Sequence, residues 1–376
     1  MDEVARVLES GWLGTGPRVQ AFEQAFAAFK GADSAQTCAV ASCTAALHLS
    51  LIAAGVGAGD EVITTPLTFC ATVNAIVHAG ATPVLADVDP VTMNLSPSAV
   101  AERVGPRTRA IVPVHFAGRA CDMDAIMRIA RAHDLAVIED CAHAIETTWR
   151  GQPSGTIGDF GCFSFYVTKN VVTGEGGTVI ARRPEHAARI RTLALHGMSR
   201  DAWKRFGADG YRHYEITECG FKYNMTDLQA ALGIHQLARV EASWRRRLEI
   251  WRTYERAFAD LPLVRPAPLD ERSRHALHLY TLLIDEAAAG VSRDEFLTAM
   301  QRQNVGVGVH YVSVPEHPYY QRRFGWRPEN YPNALRIGRQ TASIPLSAAL
   351  TDDDVNDVIA AVRAAVPGAR RRATSL

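Results

Sequence analysis

Between residues 38 and 140 the chain alternates short apolar runs with helical stretches, and this alternation is the strongest constraint on its fold. CAVAS, DEVITTP, ATPVLADVD, RAIVPVHF and LAVIED read as strands, while TAALHLSLIAAG, FCATVNAIVHAG and DMDAIMRIARAHD read as helices. Runs this short, apolar on both sides and separated by helices, predict parallel strands buried on both faces of a sheet. The fold class is therefore α/β, a mostly parallel sheet wound between helices. Ligands of such sheets bind beyond the carboxyl ends of the strands, so the residues just after each run are the ones to inspect for chemistry.

Beyond Tyr223 the pattern changes to one long helix, from a capping Thr226 through ERAF, ended by Pro262, Pro266 and Pro268. Within it Arg245, Arg246 and Arg247 read as a solvated helix face. HLYTLLID and VGVGVHYV are strand-like, SRDEFLTAMQRQ and TDDDVNDVIAAVRAAV helical, which predicts a smaller α+β domain. A chain of 376 residues exceeds the size of one core, and its 47% hydrophobic content supplies two. The expected division is residues 1–240, 241–366 and a disordered tail 367–376, with the N-terminal segment free to pack on the smaller domain. Acidic and basic side chains number 40 each, so nothing in the charge calls for a nucleic-acid or membrane partner. The acids of MDEVARVLESGW do not suit a secretion signal, and a cytoplasmic location is the expectation. Seven cysteines without a C-x-x-C pair read as small core residues rather than a disulfide framework or a zinc site; no metal is expected.

Only four of the 40 basic side chains are lysines: Lys30, Lys169, Lys204 and Lys222. Lys169 lies between the run GCFSFYVT and the glycines Gly174, Gly176 and Gly177. Unlike arginine, a lysine among apolar neighbours is pushed toward the neutral amine, which suits it to forming a Schiff base. Asp140 ends the run LAVIED and places a carboxylate at the rim, where it needs a partner. After CAVAS, the small-residue turn Cys43, Thr44, Ala45 opens a helix whose free N–H groups suit a phosphate. Phe69 follows VITTP at the same rim, where its ring suits a flat cofactor. Taken singly, each has an ordinary structural explanation. Together a lysine, an acid, a ring and a phosphate seat match pyridoxal 5'-phosphate.

The motifs ASCTAALHLSL, TTPLTFCATVNAI, IEDCAHA, GDFGCFSFYVTKNVVTGEGG and GFKYNMTDLQAA, in this order, resemble those of the DegT/StrS sugar aminotransferases. The resemblance runs from WLGTGPRVQAFEQAF to SIPLSAALTDDDV and implies the pyridoxal-phosphate transferase type I fold. It implies that Lys169 carries the cofactor, Asp140 faces its ring nitrogen, and His143 lies near its phenolic oxygen. Phe69 would stack on the ring, and Thr44, Ala45 and Ser164 would hold the phosphate. Asn224 would reach the phosphate from a neighbouring subunit, which implies a homodimer with shared active sites. Cys43 departs from the glycine of many members. TKNVVTGEGG, HGMSRDAWKRF and GVGVHYVSVPEHPYY resemble members that aminate carbon 4 of nucleotide-linked 4-keto-6-deoxy sugars, with glutamate as donor. On that resemblance His196, Arg200, Arg205, His310 and Tyr311 are the candidate substrate residues. A 3-keto sugar, a keto-cyclitol, and a regulator that binds the cofactor without turnover remain open alternatives; relatives that dehydrate sugars carry His where this chain has Lys169.

Overall fold

The apolar runs become strands of one seven-stranded sheet in the computed structural model, which describes residues 2–199 and 214–366. In chain order these are β1 (Thr37–Val40), β2 (Glu61–Thr64), β3 (Thr82–Leu85), β4 (Thr108–Val112) and β5 (Ala136–Asp140). A short hairpin, β6 (Thr148–Trp149) with β7 (Gln152–Pro153), precedes β8 (Phe160–Ser164) and β9 (Gly177–Ala181). The order across the sheet is β1-β9-β8-β5-β4-β2-β3, with β9 antiparallel to both its neighbours and the remaining pairs parallel. That one reversal shapes the site. To pair antiparallel, the chain leaving β8 turns back within residues 165–176, and Lys169 sits in this turn at the carboxyl end of β8.

Helices close both faces. Cys43–Ala53 packs along β1, β5, β8 and β9. Pro17–Lys30 and Asp227–Leu237 cover the other side through Phe22 and Phe26 against Phe163 and Phe165, and Met123–Ala132 covers β4 and β5. The edge strand β1 does not leave its amides open. Glu23 accepts the N–H of Ala39 (2.8 Å), and Arg191 bridges Glu23 and the carbonyl of Thr37, each at 2.8 Å.

A second core gathers around β10 (Tyr280–Leu283) and β11 (Thr341–Ile344), an antiparallel pair covered by helices Val240–Ala257, Arg293–Arg302 and Asp352–Ala365. The N-terminal helix Asp2–Ser10 packs chiefly on Asp227–Leu237 in the first layer, not on this second core. The long helix expected after Thr226 is two, Asp227–Leu237 and Val240–Ala257, because the first packs on Pro17–Lys30 and the second turns to serve the second core. Thr226 does cap the first, paired with Gln229 in a capping box. The run VGVGVHYV is not a strand. Gly308 exchanges two hydrogen bonds with Ser343 (3.0 and 2.7 Å) beside β11, after which the chain leaves the pair and carries His310 and Tyr311 toward the sheet. Among the described residues no helix is long and apolar enough to cross a membrane.

Candidate active site

Asp140 ends β5 with its carboxylate buried. Thr72 donates to Oδ2 (2.8 Å) and the Ala142 N–H to Oδ1 (3.1 Å), which holds the group still. Burial raises its pKa above the usual carboxylate value, although those two hydrogen bonds and the charge of Lys169 pull the other way. A cationic group beside it would restore the anion.

Lys169 is half-buried and its Nζ forms no hydrogen bond or ion pair among the described residues; its own N–H donates to Tyr166 O (2.8 Å). Burial lowers its pKa, while Cys43 and Asp140 act to raise it. Three histidines surround it within electrostatic reach. His143 and His278 are held well below the usual imidazole value by burial and then by the charge of Lys169, and His310 is lowered to about 4 by the same two causes. All three are therefore neutral near neutral pH. His143 and His278 lie with ring centroids 4.3 Å apart, and Tyr311 reaches His143 Nε2 through its hydroxyl (3.1 Å). His143 Nδ1 is buried with no partner. Tyr311 and Phe69 approach to 6.0 Å between ring centroids. Phe69 is 59% exposed, so it is not a core residue; its ring stands at the rim.

The turn after β1 opens the helix Cys43–Ala53, with Ser42 as its cap. The Ala45 N–H donates to Ser42 Oγ (3.1 Å), so of the two phosphate-holding residues expected in this turn Thr44 alone keeps its N–H without a described partner. This turn presses on the sheet. A Cβ on Gly177 would meet Ser42 C at 2.5 Å and Cys43 N at 2.7 Å, so glycine is required where β9 passes the turn. Cys43 points inward, its thiol 3.5 Å from Cys162 O and 4.0 Å from Asp140 Oδ1. Ser164, buried at the end of β8, has its hydroxyl 3.4 Å from the Tyr166 N–H. Asn224 bridges Val40 through its backbone and donates from Nδ2 to Thr15 Oγ1 (2.8 Å).

The expected substrate residues divide. His310 and Tyr311 lie with the Lys169 group, His310 anchored through Nδ1 to Ser343 Oγ (2.9 Å). His196 is exposed in the left-handed region (φ 57), with no described side-chain contact to Lys169, Asp140 or His143. Arg200 and Arg205 lie outside the described residues.

Several residues of the site escape a sequence reading. Arg247, expected on a solvated face, is buried and donates to Glu146. Glu146 accepts from Asn170, and Asn170 meets His278. Each is a single polar letter in a distant segment, so no local pattern signals it. Glu139, beside Asp140, is another. Its carboxylate accepts the N–H groups of Gly155 (2.8 Å), Ile157 (2.8 Å) and Gly158 (2.7 Å) and meets His115 Nε2 at 2.9 Å. His115, Glu139 and Cys141 are close enough to consider as metal ligands. Glu139 and His115 already have these partners, and His115 Nδ1 accepts from the Cys121 N–H (3.1 Å), so the cluster is a hydrogen-bonded anchor for the turn 155–158. All seven cysteines are free; five are buried, Cys70 is half-buried and Cys219 exposed.

The site suits pyridoxal phosphate on its own chemistry. It offers an unpaired lysine amine, a carboxylate that a cation would complete, an orphaned buried imidazole nitrogen, an open helix-terminal N–H and a ring at the rim.

Comparison with known proteins agrees. Residues 1–363 match the DegT/DnrJ/EryC1/StrS aminotransferase family. The spore coat polysaccharide biosynthesis protein SpsC of Bacillus subtilis (strain 168) is 52% identical over 371 residues, covering 98% of this chain and 95% of that protein. Among solved structures, the aminotransferase TlmJ of Streptoalloteichus hindustanus superposes with a TM-score of 0.89 at 35% identity, over 100% of this chain and 96% of the other. The PMP-form of the putative sugar aminotransferase Spr1654 from Streptococcus pneumoniae gives 0.90 at 30% identity, over 97% and 96%.

Proposed function

The chain belongs to the DegT/DnrJ/EryC1/StrS aminotransferase family, a pyridoxal-phosphate-dependent sugar aminotransferase by that membership, and we propose that it aminates carbon 4 of a nucleotide-linked 4-keto-6-deoxy sugar with glutamate as donor. The observation that carries the catalytic assignment is the placing of Lys169: an unpaired amine in the turn between β8 and β9, within electrostatic reach of Asp140 and three neutral histidines. The substrate assignment draws its support from the blocks around Lys169, His196 and His310, and from the position of His310 and Tyr311 beside Lys169. A relative in spore coat polysaccharide biosynthesis is compatible with a nucleotide-sugar substrate.

Bound pyridoxal phosphate supplies an electrophilic carbonyl and an electron sink. The residues supply the rest. Lys169 provides the amine that holds the carbonyl carbon. Once displaced by the donor, its amine would take the proton from the donor's α-carbon and pass it to the former carbonyl carbon of the cofactor, and in the second half it would move a proton back from that carbon to the carbon being aminated. Its lowered pKa favours the neutral form this task needs. Asp140 would keep an anion against the ring nitrogen and so hold that nitrogen protonated. The Thr44 N–H and the Ser164 hydroxyl would bind the phosphate at the start of a helix, where partial positive charge favours an anion. His143, neutral and hydrogen-bonded to Tyr311, would stand near the phenolic oxygen. Asn224 would reach the phosphate of a neighbouring subunit in a homodimer.

The test is spectroscopic. Protein loaded with pyridoxal phosphate has a visible band that L-glutamate abolishes, and a panel of nucleotide-linked 4-keto-6-deoxy sugars, 3-keto sugars and keto-cyclitols is then screened for its return. Recovery with the first class alone supports the proposal; recovery only with another class transfers the substrate there. A band indifferent to every amino donor would mean a regulator.

A further inference from the structure

The polar chain behind Lys169 has a direction that its chemistry dictates. Arg247 donates to Glu146 Oε1, and Glu146 Oε2 accepts from Asn170 Nδ2 (2.9 Å). The other hydrogen of that amide goes to Ala276 O (3.1 Å). A carboxylate held by an arginine and a backbone carbonyl are both acceptors only, so the Asn170 amide has one orientation that satisfies them. Its Oδ1 then faces His278 Nδ1 at 3.0 Å. An amide oxygen cannot donate, so Nδ1 carries the ring proton. His278 is neutral, held so by burial and by the charges of Lys169, His310 and Arg247, which leaves Nε2 as a bare lone pair. That nitrogen has no partner among the described residues and, unlike His143 Nδ1, is not fully enclosed. His143 cannot offer the same service, because Tyr311 occupies its Nε2.

We propose that Arg247, Glu146 and Asn170 are positioning residues that lock His278 in its Nδ1–H tautomer, so that Nε2 serves as a hydrogen-bond acceptor for a hydroxyl or ammonium donor of the substrate at Lys169. The substrate part rests on the transaminase reading above; the tautomer part does not. Asn170 directly follows Lys169, so the same amide that sets the ring also restrains the chain carrying the amine. The three segments that meet here, at Glu146, at Asn170 and at Arg247, join the sheet layer to the helix Val240–Ala257 of the second core.

The experiment uses full-length protein labelled with 15N in its histidines, whose two-bond proton–nitrogen correlations report the tautomer of each ring. His278 is assigned by the signal missing from His278→Asn. Wild type should show His278 neutral with the proton on Nδ1. In Glu146→Gln the new amide must give its oxygen to Arg247, which only donates, and its NH2 to Asn170. Asn170 is then set between a donor at residue 146 and an acceptor at Ala276 O, its orientation is no longer fixed, and the His278 ring proton divides between Nδ1 and Nε2. With pyridoxal phosphate loaded, the absorbance change on adding L-glutamate should slow about 10- to 100-fold in Glu146→Gln, the usual effect of losing an orienting partner. His278→Asn keeps a donor toward Asn170 but lacks the ε position, and should slow by a similar factor with cofactor uptake retained. A purely structural role predicts slowing only in proportion to lost folding or lost cofactor. The proposal is overturned if wild-type His278 is cationic or protonated on Nε2, or if both variants react at the wild-type rate. Should Glu146→Gln fail to fold, the wild-type spectrum and His278→Asn decide the matter. Failure to bind pyridoxal phosphate at all would sink the transaminase reading and leave the tautomer result standing.

Discussion

Lys169 is not the most deeply buried lysine of the chain. Lys30 is 2% exposed, and burial lowers its pKa from 10.5 to about 8. A search for a perturbed lysine alone would choose it. Geometry rejects it: Lys30 Nζ donates to Ile145 O (3.0 Å) and lies 4.9 Å from the centre of the Phe163 ring, enclosed and away from the strand-end rim. The two lysines should therefore respond differently to substitution. Lys169→Arg is expected to melt within a degree or two of wild type yet lose more than about 10³-fold in turnover, because arginine has no releasable proton and forms no Schiff base. Full activity in that variant would mean the wrong lysine. Lys30→Met should keep its activity and be at least as stable at pH 7. The fall from 10.5 to about 8 is worth about 3 kcal/mol against the charged form, offset in part because methionine can neither donate to Ile145 O nor place a cation over the Phe163 ring. The sign also makes a pH statement. A lowered lysine value means the unfolded chain binds the extra proton between about 8 and 10.5, so wild-type stability gains from this group as pH rises through that window; Lys30→Met should lack the gain in thermal melts. Lys169 and Asp140 were legible because each ends an apolar run at a rim. Glu146, Asn170, His278 and Arg247 were not, because their meaning is a mutual contact between distant segments.

At the scale of elements, periodicity located the first five strands and β10 but passed over β9 and β11, made a strand of VGVGVHYV, and gave no directions. An apolar run carries no arrow, so the antiparallel insertion of β9 between β8 and β1, which creates the turn that holds Lys169, could not be read from GTVIA. Gly177 hinted at it only as one of a cluster of glycines. The break after Leu237 was hidden for a similar reason: both halves have helical composition, and the cores that pull them apart are assembled from elsewhere. The turn 155–158 shows what such contacts are worth. Burial pushes the Glu139 carboxyl up, but His115 and the backbone N–H groups of Gly155 and Gly158 outweigh it and hold the pKa below 4.5. Glu139→Gln places an amide NH2 among donors and should cost about 2–4 kcal/mol, seen as a lower melting temperature at neutral pH. A depressed carboxylate contributes its stability above the unfolded value and loses it as pH falls through the folded one. The gap between wild type and variant should therefore be full above 4.5 and narrow below it. A constant gap down to the acid transition would show that the charge of Glu139 does not stabilise this turn.

For the molecule as a whole, the question is whether its two cores act separately. A third apolar cluster answers in terms of packing: Leu67, Val73, Leu85 and Phe116 from the sheet layer meet Leu283, Val314 and Ile337 from the second core. Polar ties cross the same seam. Tyr320 donates to Asn74 (2.6 Å), and the Val314 N–H to Pro66 O (2.8 Å). Asp87, just after β3, accepts the N–H groups of Asn333 and Ala334, each at 3.0 Å, at the start of the helix Pro332–Gln340, while Asn333 donates back to Val88 O at 3.0 Å. Asp87 thus caps a helix of the second core from the first. Nothing in ADVDP reveals this, because the helix it caps begins 245 residues later than Asp87. Because His310 and Tyr311 enter the site from beyond this seam, its rigidity sets how precisely they face Lys169. Asp87→Ala should cost about 1–2 kcal/mol, the worth of a lost helix cap. In a background where Trp244 and Trp251 of the second core are the only tryptophans, it should also leave their fluorescence reporting the same melting temperature as the visible band of bound pyridoxal phosphate. A shared apolar cluster couples the two cores more strongly than one cap can undo, so both probes should move down together. If the fluorescence transition separates from the cofactor transition in that background with Asp87 intact, the cores unfold independently and the seam does not couple them.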